Sequence, residues 1–147
     1  NKGVRKQLSV YSTPGGAYRR VEARNVTVGM SDGSVIDLTN PLIDYITMPE
    51  AGTIVGWSIV GTPITGQSDG SIQFDIWKGS FGSVPTDSDS ITASAPPAMT
   101  SDTDINSTTM TGWTLTFNKN DIVAFNVDSV TNLSSAKLTL YVRYNNG

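Results

Sequence analysis

The chain contains no cysteine and no histidine. Without cysteine there is neither a disulfide nor a thiolate metal site, so an ordinary apolar core must hold the fold together. Without histidine, Ser-His-Asp and Cys-His catalysis, His-ligated zinc and histidine pH switches are all excluded. Strong helix formers are scarce, and no window of eleven or more residues repeats apolar residues at helical spacing. No apolar run approaches the roughly 20 residues of a membrane span, and no signal peptide is visible. The first residue is Asn1 rather than Met, which reads as a fragment or a processed form.

What remains is rich in Ser, Thr and β-branched residues, punctuated by Gly, Asn, Asp and Pro. At 147 residues this suits one domain. Net charge is −3, unevenly spread. Lys2, Arg5, Lys6, Arg19, Arg20 and Arg24 face one acid, Glu22, in residues 1–24, whereas afterwards Lys78, Lys119, Lys137 and Arg143 oppose twelve acids. Apart from Tyr11 and Tyr18 the basic segment lacks the interleaved aromatics of single-strand nucleic-acid binders, so no nucleic-acid partner is expected. Basic N-terminal strands pairing with an acidic body or a neighbouring subunit fit the pattern.

Period-two alternation recurs along the chain. Val4, Leu8 and Val10 share one face of a first strand, closed by a turn at Thr13-Pro14-Gly15-Gly16. Arg20, Glu22 and Arg24 alternate with Val21 and Ala23, and the parity of apolar residues changes at Asn25, which predicts a bulge. After a turn at Ser31-Asp32-Gly33 come VIDL, LIDYITM and the near-continuous apolar TIVGWSIV, a strand expected to be covered on both faces or at a subunit contact. SIQFDIW sets Ile72, Phe74 and Ile76 against Gln73, Asp75 and Trp77. WTLTF and DIVAFNVD follow, and the last strand sets Ala136, Leu138, Leu140, Val142 and Tyr144 against Lys137, Thr139, Tyr141 and Arg143. The Ser/Thr/Pro/Asp-rich stretch between Gly79 and Thr111 is a crossover or functional loop, or holds short strands of its own. Eight to ten short strands with one long crossover predict an all-β sandwich of Greek-key or jelly-roll topology.

Few groups in this pattern carry chemistry. Asp87-Ser88-Asp89 and Asp102-Thr103-Asp104 lack the Gly and distal Glu of a calcium loop and read as solvated turns, so no metal site is expected. Thirteen acids make some close carboxylate pair inevitable, yet no motif selects one for glycoside hydrolysis. Sequons at Asn25, Asn106 and Asn132 follow from composition. Trp57 and Trp113 lie inside apolar runs and read as core. Trp77, on the face of Asp75, is the tryptophan placed to meet a ligand or partner, which makes Asp75 and Trp77 the candidate surface-binding pair, although packing competes for the ring. Lys137, Thr139, Tyr141 and Arg143 combine two cations with a tyrosine on one strand face, a candidate subunit-interface or small-ligand surface; a plain solvated face accounts for the charges equally well.

Taken in order, AGTIVGWSIVG, GSIQFDIWKG, the SDSITASAPP loop, STTMTGWTLTFNKNDIVAFNVDS and KLTLYVRY resemble a module of bacteriophage virions found at the distal ends of tail needles and tail fibres. The match covers residues 50–144. It implies a jelly-roll knob, TNF-like in outline, assembled as a homotrimer on a stalk, with residues 1–24 supplying strands near the stalk junction. The resemblance brings no catalytic residue and no cofactor. It implies a virion structural protein that touches a bacterial cell-surface receptor, a glycan or an outer-membrane component, during attachment or genome delivery, with the rest of the phage tail as its other partner. The rival from another class is a carbohydrate-binding module of a secreted bacterial protein, which would be a monomer.

Overall fold

A computed structural model describes residues 20–38 and 43–145. The expected first strand, its turn at Thr13 and most of the basic segment lie outside these residues. Nine strands follow in order: β1 (Val21–Gly29), β2 (Ile43–Thr47), β3 (Gly52–Pro63), β4 (Gly70–Gly79), β5 (Ala98–Asp102), β6 (Asp104–Ser107), β7 (Thr116–Phe117), β8 (Ile122–Thr131) and β9 (Leu133–Tyr144). Apart from them there is one 3-10 turn at Asp87–Asp89 and no α-helix among the described residues.

The strands form two antiparallel sheets. The larger runs β1-β9-β3-β6, with the two-residue β7 also pairing β3; the smaller runs β2-β8-β4-β5. With β7 set aside, the order becomes a rolled hairpin. The first strand pairs the last, the second pairs the next to last, β3 pairs β6 and β4 pairs β5. That nesting defines a jelly roll. The expected all-β sandwich with jelly-roll topology is the fold of this chain.

Alternation puts the apolar sets inside. Ile54, Trp57 and Ile59 from β3 and Ala136, Leu138, Leu140 and Val142 from β9 meet Ile72, Phe74 and Ile76 from β4 and Val123, Phe125 and Val127 from β8. Trp57 and Trp113 belong to this core, as their sequence context predicts. At one end of it the Tyr144 ring meets Phe117 edge-on at 6.1 Å, with the Arg24 guanidinium 5.3 Å from its centroid. Burial pushes the Tyr144 hydroxyl above the ordinary phenol pKa against the charge and hydrogen bonding of Arg24, and among the described residues no donor or acceptor meets that hydroxyl in full hydrogen-bond geometry.

Three expectations are corrected. β1 pairs β9 in continuous register, without a bulge at Asn25. Glu22 and Arg24 share the inward face with Val26 and Val28, because that end of β1 is only half covered and Arg24 can lie over Tyr144. Register shifts lie elsewhere, among them one at Val55 in β3, where the register with β9 slips between Ile54 and Gly56, and one at Asp128 in β8, where the register with β4 slips between Gln73 and Phe74. Secondly, WTLTF yields only the short β7. Its Trp113 indole is committed to the Ala95 carbonyl (2.7 Å), and Leu115 accepts from Ile54 through its carbonyl, so the segment caps the sandwich rather than extending along a strand. Finally, VIDL forms no strand; the Ile36 amide bonds the Leu133 carbonyl (2.9 Å) while its side chain enters the core. The long stretch after Gly79 contains β5 and β6, one of the alternatives its composition allows.

Candidate functional site

The outer face of the larger sheet is where the last strand displays its polar set. Strand pairing arranges that face in rows. Lys137 lies between Thr27 of β1 and Val60 of β3, and Val60 in turn pairs Asp104 of β6. Thr139 lies between Asn25 and Ser58, Tyr141 between Ala23 and Gly56, and Arg143 between Val21 and Thr53. Lys137 and Arg143 are exposed, Thr139 is buried and Tyr141 half-buried. Among the described residues the ion pair within 4.0 Å is Arg20–Glu22, so neither cation of β9 has a close acid among them. Val21 and Val60, exposed at 47% and 56%, put apolar surface beside these charges. The four residues singled out on β9 thus do share one face, though Thr139 contributes little surface.

Next to the bulge this face opens into a cleft of about 270 Å³ lined by Val55, Gly56, Trp57, Asn106, Ser107, Thr108 and Tyr141. Its walls are held from behind. The Tyr141 hydroxyl and Ser58 Oγ share a hydrogen bond (3.1 Å), Trp57 Nε1 donates to the Thr109 carbonyl (3.3 Å), and the Thr109 amide donates to Ser107 Oγ (2.9 Å). Gly56 forms part of the floor; a Cβ there would sit 3.3 Å from the Ser107 carbonyl oxygen and 3.7 Å from both Thr108 and Tyr141. Sequence reasoning passed over this cleft, because two of its walls come from strands some fifty and eighty residues apart and the bulge that opens it leaves no mark in the alternation. Tyr141, singled out on β9 as part of a possible small-ligand surface, is the one lining residue the sequence pointed to.

Asp75 and Trp77 occupy a different place from the surface expected of them. They point away from the main core, yet they are only 7% and 6% exposed. Just before β5 the chain runs alongside β4 as a strap, residues 90–97, through the bonds Ile91 N to Ile76 O (2.8 Å) and Phe74 N to Pro97 O (2.9 Å) and a bridge between Trp77 and Ser90. Asp75 fastens it. Its Oδ1 accepts from Ser90 Oγ (2.5 Å), Thr92 Oγ1 (2.8 Å) and the Ile76 amide (2.9 Å), while Oδ2 accepts from Trp77 Nε1 (2.9 Å). An indole whose N–H is consumed internally and whose ring is covered offers no stacking platform. Packing is what this pair does, and the surface-binding expectation for it is withdrawn.

Several other acids are turned to their own neighbourhoods. Asp89 Oδ2 caps the 3-10 turn through the Thr86 amide (2.8 Å), Asp102 Oδ1 accepts from the Thr103 amide (2.8 Å), and Asp104 Oδ1 accepts from Thr103 Oγ1 (3.0 Å). Asp32 in the predicted turn bonds the Ser34 hydroxyl and amide, which lowers its pKa. At the β8 bulge, Asp128 goes the other way. Burial raises its pKa first and the Asp75 carboxylate second, with Asp87 adding to the repulsion, while Gln73 and Asn126 pull it down. A carboxyl raised in the folded state favours the protonated form there, so folding stability is gained as pH falls through that pKa and forfeited at neutral pH. Asp128→Asn, which keeps an oxygen for the Asn126 amide (2.8 Å), should therefore raise the melting temperature slightly at pH 7. Melts repeated in acid, with both states protonated, should show the difference vanish; a gain independent of pH would remove the electrostatic explanation.

Set against known proteins, the chain matches no family model and no curated protein. Among solved structures it is similar to one of desmodium yellow mottle tymovirus, at 8% identity and a TM-score of 0.36, over 89% of this chain and 90% of that one. It is also similar to one of infectious bursal disease virus, Gx strain, at 15% identity and a TM-score of 0.35, over 87% of this chain and 33% of that one. The jelly-roll assignment rests on the strand pairing, to which likenesses of this depth add no argument.

Proposed function

We propose that this chain is a non-catalytic virion knob, the distal end of a bacteriophage tail needle or tail fibre, which assembles as a homotrimer and touches the host cell surface during attachment or genome delivery. The ordered motifs of residues 50–144 support the phage setting, and the rolled-hairpin sandwich is the architecture they imply. The observation that carries the assembly is the row Lys137–Val60–Asp104 on the outer face of the larger sheet. A ring of three needs a heterologous contact, one patch meeting a different one on the next copy. Here a cation and an acid stand two strands apart, roughly 10 Å, with an exposed valine between them. Turned towards a neighbour, the Lys137 side of one copy meets the Asp104 side of the next along this end of the face, four residues along β9 from Tyr141. Three copies would also present any receptor contact three times, compensating for weak single contacts.

Solution mass tests this reading. The 15.7 kDa chain should sediment at three times its own mass. Lys137→Asp and Asp104→Lys should each dissociate the trimer, and the two together should restore it. A parent chain that runs as a single copy sinks the trimeric knob and leaves the carbohydrate-binding module of a secreted bacterial protein as the better reading.

A further inference from the structure

We infer that the cleft beside the β3 bulge binds one ring of a neutral sugar. The inference deepens the host-contact half of the proposal above, by naming what is contacted, and is independent of the assembly half. Three properties of the lining select this class. First, Val55, Gly56, Trp57, Asn106, Ser107, Thr108 and Tyr141 include no acid and no base, so a charged ligand would enter without a counter-charge and lose its hydration for nothing. Second, a purely apolar ligand would strip water from Asn106, Ser107 and Thr108 and give nothing back. A sugar ring satisfies both halves: its C–H face suits the Tyr141 and Val55 side, and its hydroxyls can both donate to and accept from an amide and two hydroxyls. Third, about 270 Å³ lies just under the range for drug-sized ligands, which fits a single ring and leaves the rest of an oligosaccharide outside.

The cleft is also ready-made. Ser58 fixes the phenol, Trp57 ties down the Thr109 carbonyl, and the Thr109 amide occupies the Ser107 oxygen as an acceptor, which leaves the Ser107 hydroxyl proton to be donated. Side chains locked from behind lose little freedom when a ligand arrives. The missing Cβ of Gly56 is what keeps the floor open, since an added methyl would project among Ser107, Thr108 and Tyr141.

The test uses the purified chain with methyl glucopyranoside, methyl galactopyranoside, methyl mannopyranoside and N-acetylglucosamine as probes, and glucuronate and glutamate as charged controls. Saturation-transfer NMR reports contact, and tryptophan fluorescence reports on Trp57 in the lining. At least one neutral sugar should bind saturably with a dissociation constant of about 1–10 mM, unaffected by salt, and the charged controls should not. Gly56→Ala fills the floor and Asn106→Ala removes an exposed amide; each should weaken binding about tenfold or more while the thermal melt stays close to that of the parent. Absence of saturable binding by every neutral probe up to about 50 mM overturns the inference. So does binding that both substitutions leave unchanged, or equal binding of the charged controls. A chain that is monomeric yet binds a neutral sugar through this cleft would refute the trimer and keep the site, and a trimer that binds none would do the reverse.

Discussion

Asp75→Ala should destabilise the domain by about 3 kcal/mol or more and release the strap at residues 90–97 before the rest of the sandwich melts. The carboxylate accepts four hydrogen bonds, from two hydroxyls, an indole and a backbone amide. Bonds to a charged acceptor contribute about 1.5–3 kcal/mol each, and the larger cost comes from donors left behind without a partner. Thr92 is fully buried and Trp77 nearly so, hence neither can turn to water without opening the strap. Ser90, half-exposed, can rehydrate in place. Urea titration should show the lowered stability, and hydrogen exchange should show the amides of Ile91 and Thr92 losing protection ahead of those in β8. Asp75→Asn keeps the shape but sets an NH2 against donors, so it should recover only part of the loss. If Asp75→Ala unfolds within about 1 kcal/mol of the parent, the strap is held by the Trp113 side instead, through Trp113 Nε1 to Ala95 and Ser94 Oγ to Thr111.

The other large effect belongs to Phe125. It has no exposed surface, sits on β8 between β2 and β4, and pairs Asp44 on one side and Ile76 on the other. Phe125→Ala removes a whole ring from the middle of the smaller sheet's inner face and should cost about 3–5 kcal/mol, the transfer term plus the cavity it leaves. Phe125→Leu, filling much of that space, should cost about 1–2 kcal/mol. Both are read from denaturant midpoints at constant slope. A small loss for the alanine variant would mean that the two sheets close over the gap, and with it that the core is less closely packed than its burial indicates.

These two positions also mark how far the sequence alone could be read. Phe125 announces itself: Val123, Phe125 and Val127 of DIVAFNVD share one parity, Ile72, Phe74 and Ile76 of SIQFDIW do the same, and as neighbouring strands of one sheet the two sets line a single inner face. The last strand was equally plain, since Lys137, Thr139, Tyr141 and Arg143 do lie on one side and the apolar set on the other. Asp75 was legible only halfway. Alternation placed it opposite Ile76, which is right, but a charged residue on an outward face reads as solvated unless the chain elsewhere supplies a cover. That cover begins fifteen residues later, in a loop whose Ser and Thr content looked like solvent exposure and is in part a set of hydroxyl donors. The Asn25 parity change misled for a related reason. Period-two reasoning assumes every inward position is dry, and at the end of a sheet Arg24 can point inward and still keep its charge beside an aromatic ring. Of the cleft only Tyr141 was within reach, since register slips depend on how strands meet and not on what either strand says by itself.

The nested strand pairing has a consequence for how the chain reaches this state. β9 lies between β1 and β3, so until it arrives the two other long strands of its sheet have no partner to share. β2 similarly waits for β8, and even the nearest pair, β4 with β5, must close a connection from Gly79 to Ala98. Almost nothing local rewards the early steps, so folding should be slow for a domain of this size, on the order of milliseconds to seconds, and should not begin in earnest while the ribosome still holds the last strand. During that interval β1 and β3 are open edges in search of a β9, and at high local concentration the nearest one available can belong to another copy.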